Sequence, residues 1–245
     1  VEQPDRDYLR HNGLSPDGAL YKARADRLNG LVNRADGFYK KKTRHAEDYS
    51  DLQGLIDGLA LKDEALQNFL FDHVDLPAQI NLMAVNVILQ NLDATDKNYY
   101  IYRDTEGNGE WKMLPWDLDL VLGPNALNTD NFSTSEDRGP AHTSHPYMGT
   151  LAYPFYGRKN HLFDAVVNSP RTNEMFLRRL RTLMDNFLAS NETPVEERYF
   201  EGRIDELVTV LEKTATLDRA KWGTNAHFTG RKYSIREAAE RIKDD

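Results

Sequence analysis

The sequence contains no cysteine. Disulfides and thiolate metal sites are therefore excluded. The compartment stays open, because a cysteine-free chain suits a secreted bacterial protein and a cytosolic one alike. No run of about 18 apolar residues occurs, so no segment reads as a membrane span. Positive charge is not in excess: 31 Lys and Arg stand against 39 Asp and Glu, for a formal net charge of -8. That balance argues against a nucleic-acid backbone as the main partner. It leaves ATP open, because a few local donors and a metal suffice to hold phosphates. There is no internal repeat and no low-complexity tract. What is present is 40% hydrophobic residues, 10% of the chain being aromatic, over 245 positions. This suits one large domain or two small ones with a proper core. The chain begins at Val1, and we expect a segment of a longer protein, with any signal peptide upstream.

Residues 1–22 show little periodicity and read as an extended segment leading into a short strand at Ala19–Lys22. Residues 23–50 are polar, and Lys40, Lys41 and Lys42 read as a solvated face. Leu52, Leu55, Ile56 and Leu59 then recur at helical spacing, and Leu66, Phe69 and Leu70 suggest a second short helix. Pro77 opens a third. From Ala78 to Leu92 its apolar residues cover nearly the whole circumference, which predicts a helix buried on all sides. A polar loop, 91–98, follows. Tyr99–Tyr102 reads as a strand, Asp104–Gly109 as a hairpin turn and Trp111–Leu114 as the return strand. We expect Tyr99, Tyr100 and Tyr102 to divide between the core and an exposed face, and Trp116 and Trp222 to be core anchors. Residues 123–149 form a long polar loop. The remainder is helical, with a cap and first-turn proline at Ser169-Pro170 and capping boxes at Thr193–Glu196 and Ser234–Glu237. The fold class is α+β, mainly α. Residues 1–232 are read as one domain and 233–245 as its C-terminal helix or tail.

Two acidic stations flank the hairpin. Asp93 and Asn98 precede it, and Asp117 and Asp119 follow it. A tight hairpin returns the chain to its start, so both stations should share one end of the sheet. Phosphoryl transfer uses this inventory. One carboxylate orients or deprotonates the acceptor hydroxyl, while another carboxylate and a carboxamide hold magnesium against the phosphates. Asp93 and Asn98 have the five-residue spacing of the catalytic loop of protein kinases. Asp117 and Asp119 alternate with Leu118 and Leu120 and are expected on one face of an extended segment. Two such carboxylates repel unless a cation or donors intervene. The alternatives are a helix-terminus cap for Asp93, a turn former for Asn98 and loop hydrogen bonding for Asp117 and Asp119. His142, His145 and His161 have no carboxylate or cysteine companion that would complete a zinc site. Ser133, Thr134, Ser135, Thr143 and Ser144 are candidate phosphorylation positions in the long loop.

The stretch 86–123 resembles the signature of the CotH (spore coat protein H) kinase family. The resemblance rests on Lys97-Asn98-Tyr99-Tyr100, the short hairpin, and Leu114-Pro115-Trp116-Asp117-Leu118-Asp119-Leu120 with Gly123. The flanks at Asp7–Leu14, Gly18–Lys22, Asn160–Leu162, Arg178–Arg181 and Asp218–Trp222 resemble the family as well. The resemblance implies an atypical protein-kinase C-terminal lobe that moves the ATP γ-phosphate to protein serine or threonine. It implies that Asp93 is the catalytic aspartate, with Asp96 able to exchange roles with it. Asn98, Asp117 and Asp119 are implied to hold magnesium and nucleotide. It further implies a secreted, spore-coat or cell-surface setting. The phosphate-covering loop and its lysine are expected upstream, in an N-terminal lobe, and neither Lys22 nor Lys40 stands in the context of that lysine. The rival readings are a catalytically inactive surface-binding module and a metal-dependent hydrolase built on Asp117 and Asp119.

Overall fold

The computed structural model describes residues 3–24, 30–89, 91, 94, 97–118, 121, 160–190, 192–222 and 233–244. A four-stranded antiparallel sheet lies at its centre, in the order β2-β1-β3-β4. The strands are β1 (Ala19–Ala23), β2 (Tyr39–Lys41), β3 (Tyr99–Arg103) and β4 (Trp111–Pro115). Around it are α1 (Arg6–His11), α2 (Ser50–Leu59), α3 (Asp63–His73), α4 (Leu76–Ile88), α5 (His161–Asn168), α6 (Pro170–Phe187), α7 (Tyr199–Trp222) and α8 (Ile235–Asp244). The expected α+β, mainly helical class is observed.

The sheet is covered on both faces. Tyr21, Tyr39, Tyr99, Ile101, Trp111 and Met113 pack into the main core with α2 to α6. Successive strand residues point to opposite faces, so Leu20, Tyr100 and Tyr102 face the other way. There they join Leu9 of α1, with Tyr8, Leu14, Leu114 and Trp116 packed against them. All three expected tyrosines are therefore buried. The expectation of an exposed face fails because α1 covers it. That helix replaces the extended segment read from the sequence. Asp5 caps it by accepting from the Asp7 and Tyr8 amides.

The second correction is β2. The lysine run is only partly a solvated face: Lys40 is exposed, but Tyr39–Lys41 pairs with β1, and Lys41 is only 6% exposed. Its ammonium sits over the rings of Tyr21 and Tyr49, at 5.2 and 5.7 Å. It also donates to the Arg44 carbonyl.

The predicted helices α2 and α3 form with Leu52, Leu55, Ile56, Leu59, Leu66 and Leu70 buried. Helix α4 forms too, with Pro77 in its first turn and Asp75 accepting from the Ala78 amide. It is not buried on all sides. Val85 is 40% exposed, while the polar Gln79 and Asn86 are buried. Packing against β4 and α6 selected one face of a helix that is apolar nearly all round. The box at Ser234 forms reciprocally, Ser234 N–H to Glu237 and Glu237 N–H to Ser234 Oγ. The box at Thr193 does not. Val195–Glu197 is a 3₁₀ turn after Pro194, and α7 starts at Tyr199. Trp222 is 44% exposed and belongs to neither core cluster among the described residues.

Candidate active site

Helix α4 and strand β4 run alongside one another from a shared start. The Asp75 N–H donates to the Trp111 carbonyl at 2.9 Å. The Asp75 carboxylate, which caps α4, also meets Lys112 Nζ at 2.5 Å. A single residue thus fixes the helix to the strand. Because both elements start there, their C-terminal ends come out together, and the sites to which they deliver the chain lie at one edge of the sheet.

At that edge, the loop leaving α4 is held by a buried pair of asparagines. Asn91 donates its backbone N–H to the Asn86 carbonyl (2.9 Å) and its side-chain amide to Asn86 Oδ1 (3.2 Å). Both residues are at most 3% exposed. Most buried carboxamides are hydrogen-bonded, and the bonds of this pair fix where the loop begins. Sequence reasoning assigned neither residue a role. The available signal was a polar Asn86 inside an otherwise apolar helix. A cavity of about 10 Å³ lies against Asn86, Asn91, Asn98, Pro115, Leu118 and Phe163, which is room for no more than one water.

The hairpin then brings Asn98 and Asp117 together. The β3–β4 ladder runs from Arg103↔Trp111 to Tyr99↔Pro115, and one further bond closes it, Trp116 N–H to the Asn98 carbonyl at 3.0 Å. Asn98 has φ 59° and Asp117 φ 60°. The left-handed region is costly for most side-chain-bearing residues and best tolerated by Asn and Asp. Two such residues flank the last rung, one on each strand, where the ladder ends. Asn98 is half-buried and Asp117 is exposed. The expectation that strand alternation continues through Asp117 is corrected: β4 ends at Pro115, and a left-handed residue breaks the alternation.

Asp93, Asp96 and Asp119 lie outside the described residues, as do the long loop, its serines and threonines, His142 and His145. Among the described residues no group of three or more His, Asp or Glu converges on a point. Magnesium does not require one, since one or two protein oxygens plus phosphate oxygens and water satisfy it. The donors Asn98 and Asp117 are a carboxamide and a carboxylate, and both are hard oxygen ligands of the kind this ion takes.

On the face of the sheet turned away from the main core, this edge carries an aromatic and cationic cluster. The Trp116 ring stands edge-on to Tyr100, with centroids 5.6 Å apart. Lys22 Nζ lies 4.9 Å from the Trp116 ring and 5.6 Å from that of Tyr100. Burial, with a smaller contribution from Asp5, pushes the Tyr100 phenol up to about 12. On the opposite face Tyr39 and Tyr99 share a hydrogen bond between hydroxyls at 2.8 Å. Burial and the neighbouring Tyr99 hold the Tyr39 phenol well above its ordinary value. Both phenols stay neutral and structural at physiological pH.

His161 begins α5, and Asn160 caps that helix with its side chain accepting from the Leu162 and Phe163 amides. Its imidazole is held below its ordinary value by burial, with Asp164 opposing and Lys62 adding to the effect. These are packing features of α5.

The family model described as CotH kinase protein matches residues 1–244. A search of curated proteins returns no match.

Proposed function

This chain belongs to the CotH kinase family, and from that premise we propose that it transfers the γ-phosphate of ATP to a serine or threonine hydroxyl of a protein. The observation that carries the reading is the closing rung of the hairpin. The Trp116–Asn98 bond at 3.0 Å sets Asn98 and Asp117 at one sheet edge, both in the left-handed conformation. Residues held in sparsely populated backbone conformations cluster at functional sites; Arg44 and Asp63 also have positive φ, and only Asn98 and Asp117 of the four lie side by side at this edge.

In this reading Asp117 and Asn98, with Asp119, supply the oxygens that hold magnesium against the nucleotide. Magnesium held there would supply charge neutralisation to the transferring phosphate. Asp93 orients the acceptor hydroxyl and accepts its proton as the oxygen attacks phosphorus, and Asp96 is the substitute for that role. The new oxygen–phosphorus bond forms as the bond to ADP breaks. The buried Asn86–Asn91 pair fixes Asn91, two positions before Asp93 in the chain. Catalysis of this kind rests on positioning and on charge stabilisation. By family analogy, we place the protein in a secreted, spore-coat or cell-surface setting.

The test is transfer of labelled γ-phosphate by the complete protein, beside an Asp117→Asn variant, with magnesium present or chelated. The reading expects transfer that needs magnesium and is lost in the variant while the fold persists. Absence of transfer from both proteins, to themselves and to a panel of hydroxyl-bearing proteins, would instead favour the surface-binding module. Metal-dependent hydrolysis without ATP would favour the hydrolase.

A further inference from the structure

The sheet carries four lysines, and they divide into two kinds. Lys112 is paired with Asp75 and Lys41 with the Arg44 carbonyl. Lys22 and Lys40 are directly opposite one another in the β1–β2 register. Cross-strand partners share a face, and like charges so placed are destabilising. Neither ammonium has a carboxylate partner among the described residues. Lys40 is exposed, but Lys22 is half-buried. The ring contacts to Trp116 and Tyr100 fix the position of the Lys22 ammonium without neutralising it.

The register locates this cation. Lys22 opposes Tyr100, and Tyr100 opposes Leu114. Trp116, two residues beyond Leu114, folds back over the same face to meet Lys22 at 4.9 Å. Asp117 is the next residue in the chain. A half-buried ammonium with no counter-charge among the described residues therefore stands one indole ring from the turn that presents Asp117. Lys40 beside it raises the local positive potential. An anion with several charged oxygens meets both needs: it offsets the repulsion between the lysines and reaches the acidic edge through a metal.

We infer that Lys22 is a phosphate-contacting residue of this site, receiving the phosphate chain of the nucleotide on the face of the sheet turned away from the main core. The inference rests on the kinase reading above and adds a residue to it. Lys22 acts as a positioning cation, with Lys40 a weaker, solvent-screened second.

The experiment is calorimetric titration of the complete protein with Mg·ATP, using wild type, Lys22→Met and Lys22→Arg. Methionine keeps an apolar stem against Trp116 and removes only the charge. Loss of a charge-assisted contact should weaken Mg·ATP by about 10- to 100-fold in Lys22→Met. Lys22→Arg should recover most of that loss. A purely structural lysine would lower the unfolding temperature of Lys22→Met and leave its nucleotide affinity unchanged, which overturns the inference alone. A wild-type protein that binds no nucleotide overturns both this inference and the kinase reading. Should Lys22→Met not fold, amine acetylation of wild type read by mass spectrometry decides the matter. Mg·ATP and inorganic tripolyphosphate should each protect Lys22, and neither should protect the exposed Lys213. Equal labelling of Lys22 with and without them refutes the assignment.

Discussion

Asp117 offers a test in which stability and activity follow different orders. Its φ of 60° is in the left-handed region. Its exposed carboxylate has no hydrogen bond or ion pair among the described residues. The side chain thus contributes little to the fold, while the backbone is held in a costly conformation. That conformation costs a residue with a Cβ roughly 1–2 kcal/mol, less for Asp and Asn and nothing for Gly. Glycine gives back roughly 0.5–1 kcal/mol through its greater freedom in the unfolded chain. Asp117→Gly should therefore leave the protein as stable as wild type or up to about 1 kcal/mol more stable. Asp117→Asn should change stability by less than about 0.5 kcal/mol. Asp117→Ala should lower it by about 1 kcal/mol, equivalent to roughly 2–4 °C in a chain of this size. Phosphate transfer should follow another order, with all three variants losing about 10²-fold or more, the scale seen on removing one charge-stabilising group. Urea or thermal unfolding gives the first order and γ-phosphate transfer the second. Transfer retained by Asp117→Gly refutes the metal-holding role. Stability that falls in Asp117→Gly as far as in Asp117→Ala refutes the backbone argument.

Other consequences can be checked separately. Gln79 is fully buried in α4, and neither end of its amide has a hydrogen-bond partner among the described residues. Gln79→Met should raise stability by about 1 kcal/mol in chemical denaturation, and a loss of that size would mean the amide is satisfied by buried water. A Cβ added at Gly58 would come within 2.0 Å of the Phe69 ring, so Gly58→Ala should cost about 1–3 kcal/mol through overpacking of α2 on α3, and an unchanged unfolding midpoint would contradict this. The His161 imidazole lies below its ordinary value because it is buried. The unfolded chain therefore takes up a proton near pH 6.5 that the folded chain accepts only at lower pH. Stability from this group is complete above about pH 6.5 and declines as pH falls below it. His161→Gln should flatten the stability profile on that acid side, and an unaltered profile would remove His161 as the cause.

Much of this molecule was legible from local pattern. The spacing of Leu52, Leu55, Ile56 and Leu59 needs only the helical period to be read, and the hairpin at 99–115 only strand propensity and turn chemistry. The reciprocal box at Ser234 is likewise local. The candidate site was partly legible for the same reason. A short hairpin must return to its start, so Asn98 and Asp117 had to lie near each other. The resemblance to the family was legible in the linear string around Pro115-Trp116-Asp117.

What the sequence could not reveal was long-range. Helix α1 and strand β2 are short and carry weak periodicity, and each exists because it covers or extends a sheet formed elsewhere in the chain. Their arrival buries Tyr100 and Tyr102 on a face that alternation alone would leave exposed, and it draws Lys41 out of water. The same pairing sets Lys22 opposite Lys40 and brings Lys22 under Trp116, although 94 positions separate them along the chain. Nor does the sequence reveal that Asn98 and Asp117 take left-handed backbone angles, because that follows from where the ladder ends. The sequence by itself determined which segments favour helix or strand, since those preferences are set by neighbours a few residues away. Only the tertiary structure decided which faces are buried and which charges meet, because burial and cross-strand register depend on partners that the chain brings together only when it folds.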